Sequence, residues 1–235
     1  MIQGLIDALL PSICVLCDQR LQPADAAGAQ LCRHCHRALP WNQPCCRRCA
    51  LPLRAPGTRC ATCRAAAPPF ARVIAPLRFE SMVQTWLHAL KFHHGVVEGK
   101  VLGELLAAAV LLAYPANTLP QVVLPVPLSR RRLAWRGHNQ ALCIAAIVAR
   151  RLGLNLQRQA VRRARHTPPQ AARSRSERQH NLAGAFTSKP WPGTRIAVVD
   201  DVMTTGATAA QVARTLLAAG AAEVHVWVPA RTPAP

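Results

Sequence analysis

Lysine occurs three times in this sequence, at positions 91, 100 and 189, although lysine and arginine together number 29. Carboxylate side chains are scarce too, ten against those 29, which leaves a formal net charge of +19. That imbalance attracts polyanions, nucleic acid first among them. An excess carried by arginine favours bidentate and stacking contacts over diffuse attraction. No helix-turn-helix or RNA-recognition signature accompanies it, so sequence-specific readout gains no support. There is no G-x-x-x-x-G-K-[ST] or G-x-G-x-x-G motif either, which weighs against nucleoside triphosphate and dinucleotide sites. No run has the length and apolarity of a transmembrane helix. Residues 1–10 are apolar but too short to span a bilayer, and no basic stretch precedes them. Leu5, Ile6, Leu9 and Leu10 share one helical face, so a short packed helix is expected rather than a signal peptide. The expected location is the cytoplasm.

What the sequence does hold begins with cysteine. Nine of its ten cysteines precede residue 64, and eight form C-x-x-C pairs: Cys14/Cys17, Cys32/Cys35, Cys46/Cys49 and Cys60/Cys63. Such a turn aims two thiolates at one tetrahedral ion, and two turns close a four-cysteine zinc site. Two zinc ions in sequential pairing are the simplest arrangement, and an interleaved one also satisfies the spacing. Disulfides are disfavoured because nothing points to secretion. Cys45 could replace Cys46 only with one residue too many before Cys49. Cys143, alone in an apolar helical run, reads as core. Residues 1–70 are otherwise interrupted by prolines and build little core, so metal would supply much of their folding energy. Pro68-Pro69 marks the expected boundary between a head, 1–70, and a body, 71–235. With 51% apolar residues in 235, the chain has ample material for that body. Two four-cysteine zinc sites would lower the folded charge to about +15.

The body is organised around residues 195–208, Arg-Ile-Ala-Val-Val-Asp-Asp-Val-Met-Thr-Thr-Gly-Ala-Thr. Ile196 to Val199 suit a strand buried on both faces. Asp200 and Asp201 follow, then the small-residue turn Thr204 to Thr208, then a helix from Ala209 to Ala219 stopped by Gly220. Glu223 to Val228 reads as the next strand, completing a parallel βαβ unit. The turn offers backbone N–H groups, a helix N-terminus and threonine hydroxyls to an anion, and Gly206 permits close backbone approach. Carboxylates beside such a cradle suit sugar hydroxyls or a magnesium ion. A ribose carrying a 5-phosphate fits both halves.

Elsewhere in the body, residues 71–80 suit an edge strand, and Ser81 an N-cap for a helix through Leu90. Glu98 to Tyr114 reads as a helix with Leu102, Leu105, Leu106 and Ala109 inward. Gln121 to Leu124 reads as a buried strand ended by Pro125. The loop after it, with Arg130, Arg131 and Arg132, would open on the same crevice as the threonine turn, and arginine forks match pyrophosphate oxygens. A further helix runs to about Arg151 before Gly153. Residues 130–178 carry thirteen arginines against one acid, Glu177. Of these, Arg136, Arg162, Arg163, Arg165 and Arg178 are candidates for a nucleic-acid contact or for a long segment closing over a phosphorylated ligand, although a solvated basic face would look the same. Trp41, Trp135 and Trp191 lie among basic residues or prolines and are candidate stacking surfaces or core.

Val-Val-Asp-Asp-Val-Met-Thr-Thr-Gly-Ala-Thr (198–208) resembles the phosphoribosyl pyrophosphate (PRPP) motif of type I phosphoribosyltransferases. The whole chain resembles the ComF/GntX family, which joins a double zinc ribbon to such a domain. Leu-Pro-Val-Pro-Leu (124–128), the Arg-Gly-x-Asn-Gln signature (Arg136, Gly137, Asn139, Gln140), the Leu-Lys-Phe-His segment, and Arg163, Thr167, Gln170, Arg178, Asn181 and Phe186 all resemble family positions. The resemblance implies an α/β fold of the type I phosphoribosyltransferase class, a Rossmann-like, mainly parallel sheet flanked by helices, preceded by the cysteine-rich zinc-ribbon domain. It implies Asp200 and Asp201 at the ribose hydroxyls, as catalytic and PRPP-binding groups with magnesium. It implies Thr204, Thr205, Gly206, Ala207 and Thr208 around the 5-phosphate, Arg130 and Arg131 at the pyrophosphate, and Lys91 facing the ligand, where a basic helix end is the alternative. For function it implies an accessory factor of DNA uptake and natural transformation that contacts single-stranded DNA, with DNA-processing proteins as possible partners. Two other readings stand beside it: an active phosphoribosyltransferase with an unidentified acceptor, and a zinc-dependent scaffold with a vestigial pocket.

Overall fold

The computed structural model describes residues 13–22, 25, 30–55, 59–93, 95–115, 117–163 and 184–233. The expected helix at 1–10, and Arg165, Thr167, Gln170, Arg178 and Asn181, lie outside the described residues.

Five parallel strands form the central sheet in the order β1 (Arg72–Ile74), β9 (Glu223–Trp227), β7 (Arg195–Val199), β3 (Val122–Pro125), β4 (Asn155–Leu156). The apolar run read as a strand buried on both faces is β7, flanked on both sides. Its side chains divide strictly by parity, as a strand's must. Ala197 and Val199 join one core cluster with Leu102, Leu106, Ile144 and Val148. Ile196 and Val198 join the other, with Val212, Leu216, Val224 and Val226.

Helices α3 (Ser81–Phe92), α4 (Val96–Ala113) and α6 (Gln140–Leu152) supply the first cluster, and α7 (Ala207–Ala218) the second. At Gly103, a Cβ would come within 2.8 Å of Ile147, so glycine sets how closely α4 and α6 approach. Several details differ from expectation. α3 is capped by Glu80, with Ser81 inside it. Pro125 stays in the ladder opposite Val199, because the next residue, Val126, donates its N–H to Val199 O at 2.8 Å. Cys143 is half-buried, lying off the apolar stripe of α6 that buries Ala141, Ile144, Ala145 and Val148.

The feature that positions the site is a shared interruption. Strands β1, β9 and β7 each stop and then resume as β2 (Leu77–Arg78), β10 (Ala230–Arg231) and β8 (Val202–Met203), again parallel and in the same order. Asp200 and Asp201 occupy the gap between β7 and β8. The expected direct passage from acid pair to turn is therefore corrected by the short strand β8. Near the other edge, β5 (Val161–Arg163) and β6 (Phe186–Ser188) form an antiparallel pair.

The cysteine-rich region carries two one-turn helices, α1 (Arg33–Arg37) and α2 (Ala61–Ala65), each beginning just after a cysteine that occupies its N-cap. It is stitched to the body by main-chain bonds, Asn42 N to Pro76 O and Arg78 N to Pro40 O, each 2.8 Å. Buried Asn42 also donates its amide to Ala50 O and Ala75 O. No described helix is long and apolar enough to cross a membrane.

Candidate ligand pocket and metal centres

The acid pair is shaped first by its own backbone. Asp200 Oδ1 accepts from Asp201 N at 2.9 Å, and Asp201 Oδ1 accepts from Val202 N at 2.7 Å, which orients both carboxylates in the strand gap. Lys91, one residue before the end of α3, brings Nζ to 2.9 Å from Asp201 Oδ2, with both side chains largely buried. Burial, and after it the negative charge of Asp201, push the Asp200 carboxyl up to about 8, while Lys91 pulls the other way. Arg136 lies near enough to Asp201, and Arg163 to Asp200, for attraction to offset part of the burial that lowers both guanidinium values.

Asp200 lines an open cleft together with Thr204, Thr205, Gly206, Ala207 and Thr208. Gly206 takes the left-handed conformation (φ 78°) and caps α7, so the helix starts at Ala207 rather than Ala209. Ala207 and Thr208 thus belong to its first turn, whose N–H groups have no intrahelical acceptor. Ala207 N is received by Thr205 Oγ1 at 3.3 Å. Beneath the turn lies an arginine that the sequence reading missed. Arg231, buried on β10, donates to Met203 O, Thr204 O and Thr232 O, and through Nε to Cys49 O at 3.2 Å. One guanidinium thus ties the threonine turn to a cysteine turn of the head. A lone arginine in the apolar stretch Val-Trp-Val-Pro-Ala-Arg (226–231) was the available signal.

The cysteines gather into two sets, Cys14/Cys17/Cys32/Cys35 and Cys46/Cys49/Cys60/Cys63, with all four Sγ atoms of each within 4.8 Å of one another. The sequential pairing holds, and Cys45 stays outside both sets. Sγ of Cys17 and Cys32 are 3.7 Å apart, as are those of Cys49 and Cys60. A tetrahedron with zinc–sulfur bonds of about 2.3 Å has edges of about 3.8 Å, so the donors fit zinc. In each set burial opposes ionisation, yet main-chain N–H donors outweigh it at one thiol and bring Cys14 and Cys46 to about 7. Burial and neighbouring sulfurs push Cys35 and Cys63 upward. Four thiols so arranged ionise together only around a cation.

Other sequence candidates divide. Arg130 and Arg131 are exposed on α5 (Arg130–Arg136), which is helical where a loop was expected, because the Ser129 hydroxyl accepts from Arg132 N and caps it. Arg132 lies close enough to Arg136 and Arg163 to act on both charges. Trp191 is core, Trp41 half-buried and Trp135 exposed. In the Arg-Gly-x-Asn-Gln segment, Arg136 donates to Gln140 Oε1 and Asn139 caps α6.

Comparison with known proteins matches a double zinc ribbon domain to residues 5–69 and a phosphoribosyl transferase domain to residues 138–235. The chain is 34% identical over 226 residues to the DNA utilization protein YhgH of Salmonella typhimurium, covering 95% of this chain and 98% of that one. It is 33% identical to the protein of the same name from Escherichia coli K12, over the same shares of both chains. With Competence protein F of Haemophilus influenzae it shares 30% identity over 207 residues, 86% of this chain and 90% of the relative.

Proposed function

Because the chain belongs to the family of these relatives, the ComF family, in which a double zinc ribbon is joined to a phosphoribosyltransferase domain, we propose that it binds PRPP and acts as an accessory factor in DNA uptake that contacts single-stranded DNA. The observation that carries the ligand is the sharing of one cleft by Asp200 and the turn Thr204 to Thr208, with Lys91 held on the neighbouring Asp201. A sugar diol donates hydrogen bonds to carboxylates, and a terminal phosphate accepts them from the free N–H groups and hydroxyls of the turn. The N-terminus of the 12-residue α7 adds a favourable partial charge. Magnesium is a hard cation that takes carboxylate and phosphate oxygens, and Asp200 and Asp201 offer the former. Arg130 and Arg131 lie on the helix that follows β3, and we assign them to the pyrophosphate, whose oxygens an arginine fork matches.

The nucleic-acid half of the proposal rests on the charge of +19 and its arginine character. We place the division between head and body at 70/71 and the protein in the reducing cytoplasm, where eight metal-binding thiols keep their zinc.

Calorimetry with PRPP and magnesium, on the zinc-loaded wild type and on Asp200→Asn/Asp201→Asn, tests the pocket. Heat in the wild type and at least about 100-fold weaker binding in the variant are expected. A wild type that gives no heat refutes the ligand. Pyrophosphate release across a panel of acceptors then separates turnover from binding. For DNA, fluorescence anisotropy with a single-stranded oligonucleotide should show affinity falling steeply with salt, and salt-independent binding would remove the electrostatic mode.

A further inference from the structure

Ten aromatic side chains (five Trp, four Phe, one Tyr) are all the molecule has, yet two of them stand side by side in solvent. Trp135 on α5 is 70% exposed and Phe92, the last residue of α3, is 43% exposed. Their ring centroids are 5.6 Å apart at 66°. The guanidinium of Arg136 lies 5.3 Å from the Phe92 centroid and 5.9 Å from that of Trp135, and the His88 ring packs 4.7 Å from Phe92. Exposed aromatic clusters of this kind are uncommon on monomer surfaces and mark contacts.

The surroundings narrow the partner. Arg131 and Arg132 precede Trp135 by four and three positions, so helical spacing sets them on its face. Neither α3 nor α5 contains a carboxylate. A second copy of this chain would bring the same arginines against these, with no acid to receive them. A polyanion carrying flat, accessible rings satisfies both the charge and the aromatic faces. Duplex DNA hides its rings in the stack, whereas a single strand presents them. The patch also borders the ligand cleft, because Lys91, beside Phe92, reaches Asp201.

We propose that Phe92, Trp135 and Arg136 form a stacking platform for the bases of a single-stranded nucleic acid, with Arg131 and Arg132 receiving the adjoining phosphates. The proposal rests on the nucleic-acid contact proposed above and assigns that contact a surface. Both aromatic positions are exposed enough to truncate without emptying the core, so the variants should fold.

The test uses the full zinc-loaded chain and three probes: an oligothymidylate, an abasic oligonucleotide of equal length, and a duplex. The wild type should prefer the oligothymidylate to the abasic strand. Trp135→Ala should weaken oligothymidylate binding about tenfold, in line with the loss of one stacking contact, and leave the abasic strand unchanged. Phe92→Ala should act in the same direction, and Trp135→Phe should restore most of the affinity. PRPP binding by Trp135→Ala, read by calorimetry, should match the wild type. Equal wild-type affinity for both strands, or an equal loss on both in Trp135→Ala, overturns the platform while the nucleic-acid contact survives. A wild type that binds none of the probes overturns both. Sedimentation that shows self-association abolished by Trp135→Ala would assign the patch to a second copy and overturn the platform.

Discussion

The cysteine sets of the head and the acid pair of the body meet the same physical difficulty in different ways. Each gathers groups that repel one another when ionised. In the head, eight thiols form two closed four-donor sets whose geometry suits one ion each. In the body, Asp200 and Asp201 share a strand gap where Lys91 supplies one cation, and Asp200 faces an open cleft. A closed set of donors is a structural device, whereas an open one leaves room for something that comes and goes. Arg231 joins the two regions, donating to Cys49 O on one side and to Met203 and Thr204 on the other.

Removing zinc should break the comparison most severely. Cys14, Cys32 and Cys35 sit in the core cluster shared with α3, α4 and α6, and Cys46, Cys49, Cys60 and Cys63 in the one shared with α7. Each set is therefore part of a body core as well as of the head. Chelation, or Cys49→Ser, should lower Tm by more than about 10 °C, since structural zinc binding contributes on the order of 10 kcal/mol of folding energy. Metal content by atomic absorption should read two ions per chain before treatment. An unchanged melting curve after chelation would show that the head needs no metal.

The next effect separates a functional acid from a structural one. The folded chain holds a proton on Asp200 up to about pH 8, whereas an unfolded aspartate releases it near pH 3.9. Over that interval the folded state binds more protons, so stability of the ligand-free protein falls as pH rises and levels off above about 8. Water in the cleft moderates the size of the drop. Asp200→Asn should raise Tm at pH 8, with the gain shrinking towards pH 5. Relief of even about 1 kcal/mol corresponds to about 2–4 °C in a chain of this size. The same substitution should nearly abolish PRPP binding. A loss of both stability and binding would make Asp200 an ordinary structural carboxylate.

Arg231→Met sharpens the link between the regions. Three main-chain carbonyls of the body and one of the head lose a charged donor, so Tm should fall by several degrees. PRPP affinity should weaken by about tenfold through the slackened turn, with zinc content still at two. If affinity follows stability in the melting assay but not in calorimetry at low temperature, the arginine supports the fold alone.

These contrasts also show which parts could be read from the sequence. The C-x-x-C pairs were legible because their ligands are local in the chain, and only the choice between sequential and interleaved pairing needed coordinates. The strand, acid pair and turn of 195–208 were legible because βαβ periodicity and turn chemistry are local too. The shared break of three strands was not, since it depends on registers set by partners distant in sequence. Arg231 escaped notice for the same reason: its acceptors are carbonyls at positions 49, 203, 204 and 232, and carbonyls leave no mark in a sequence. Phe92 passed as part of a helix end, and its pairing with Trp135 appears only when α3 and α5 are brought together.

Gly206 offers the finest cut, because it alters the turn without touching a charge. Its φ of 78° lies where a side chain is strained, and an added Cβ would meet Met203 Cε at 2.5 Å. The methionine end is flexible and can move, so the conformational cost of about 1 kcal/mol dominates. Gly206→Ala should lower Tm by about 2–4 °C. If the first N–H groups of α7 hold the phosphate, tilting that turn should also weaken PRPP several-fold, because anion contacts there depend on backbone direction. Zinc content and oligothymidylate binding should stay at wild-type values, since neither the cysteine sets nor the Trp135 patch includes this turn. A variant that melts lower yet binds PRPP with full affinity would take the phosphate away from the helix terminus and leave the acid pair as the sole anchor of the ligand.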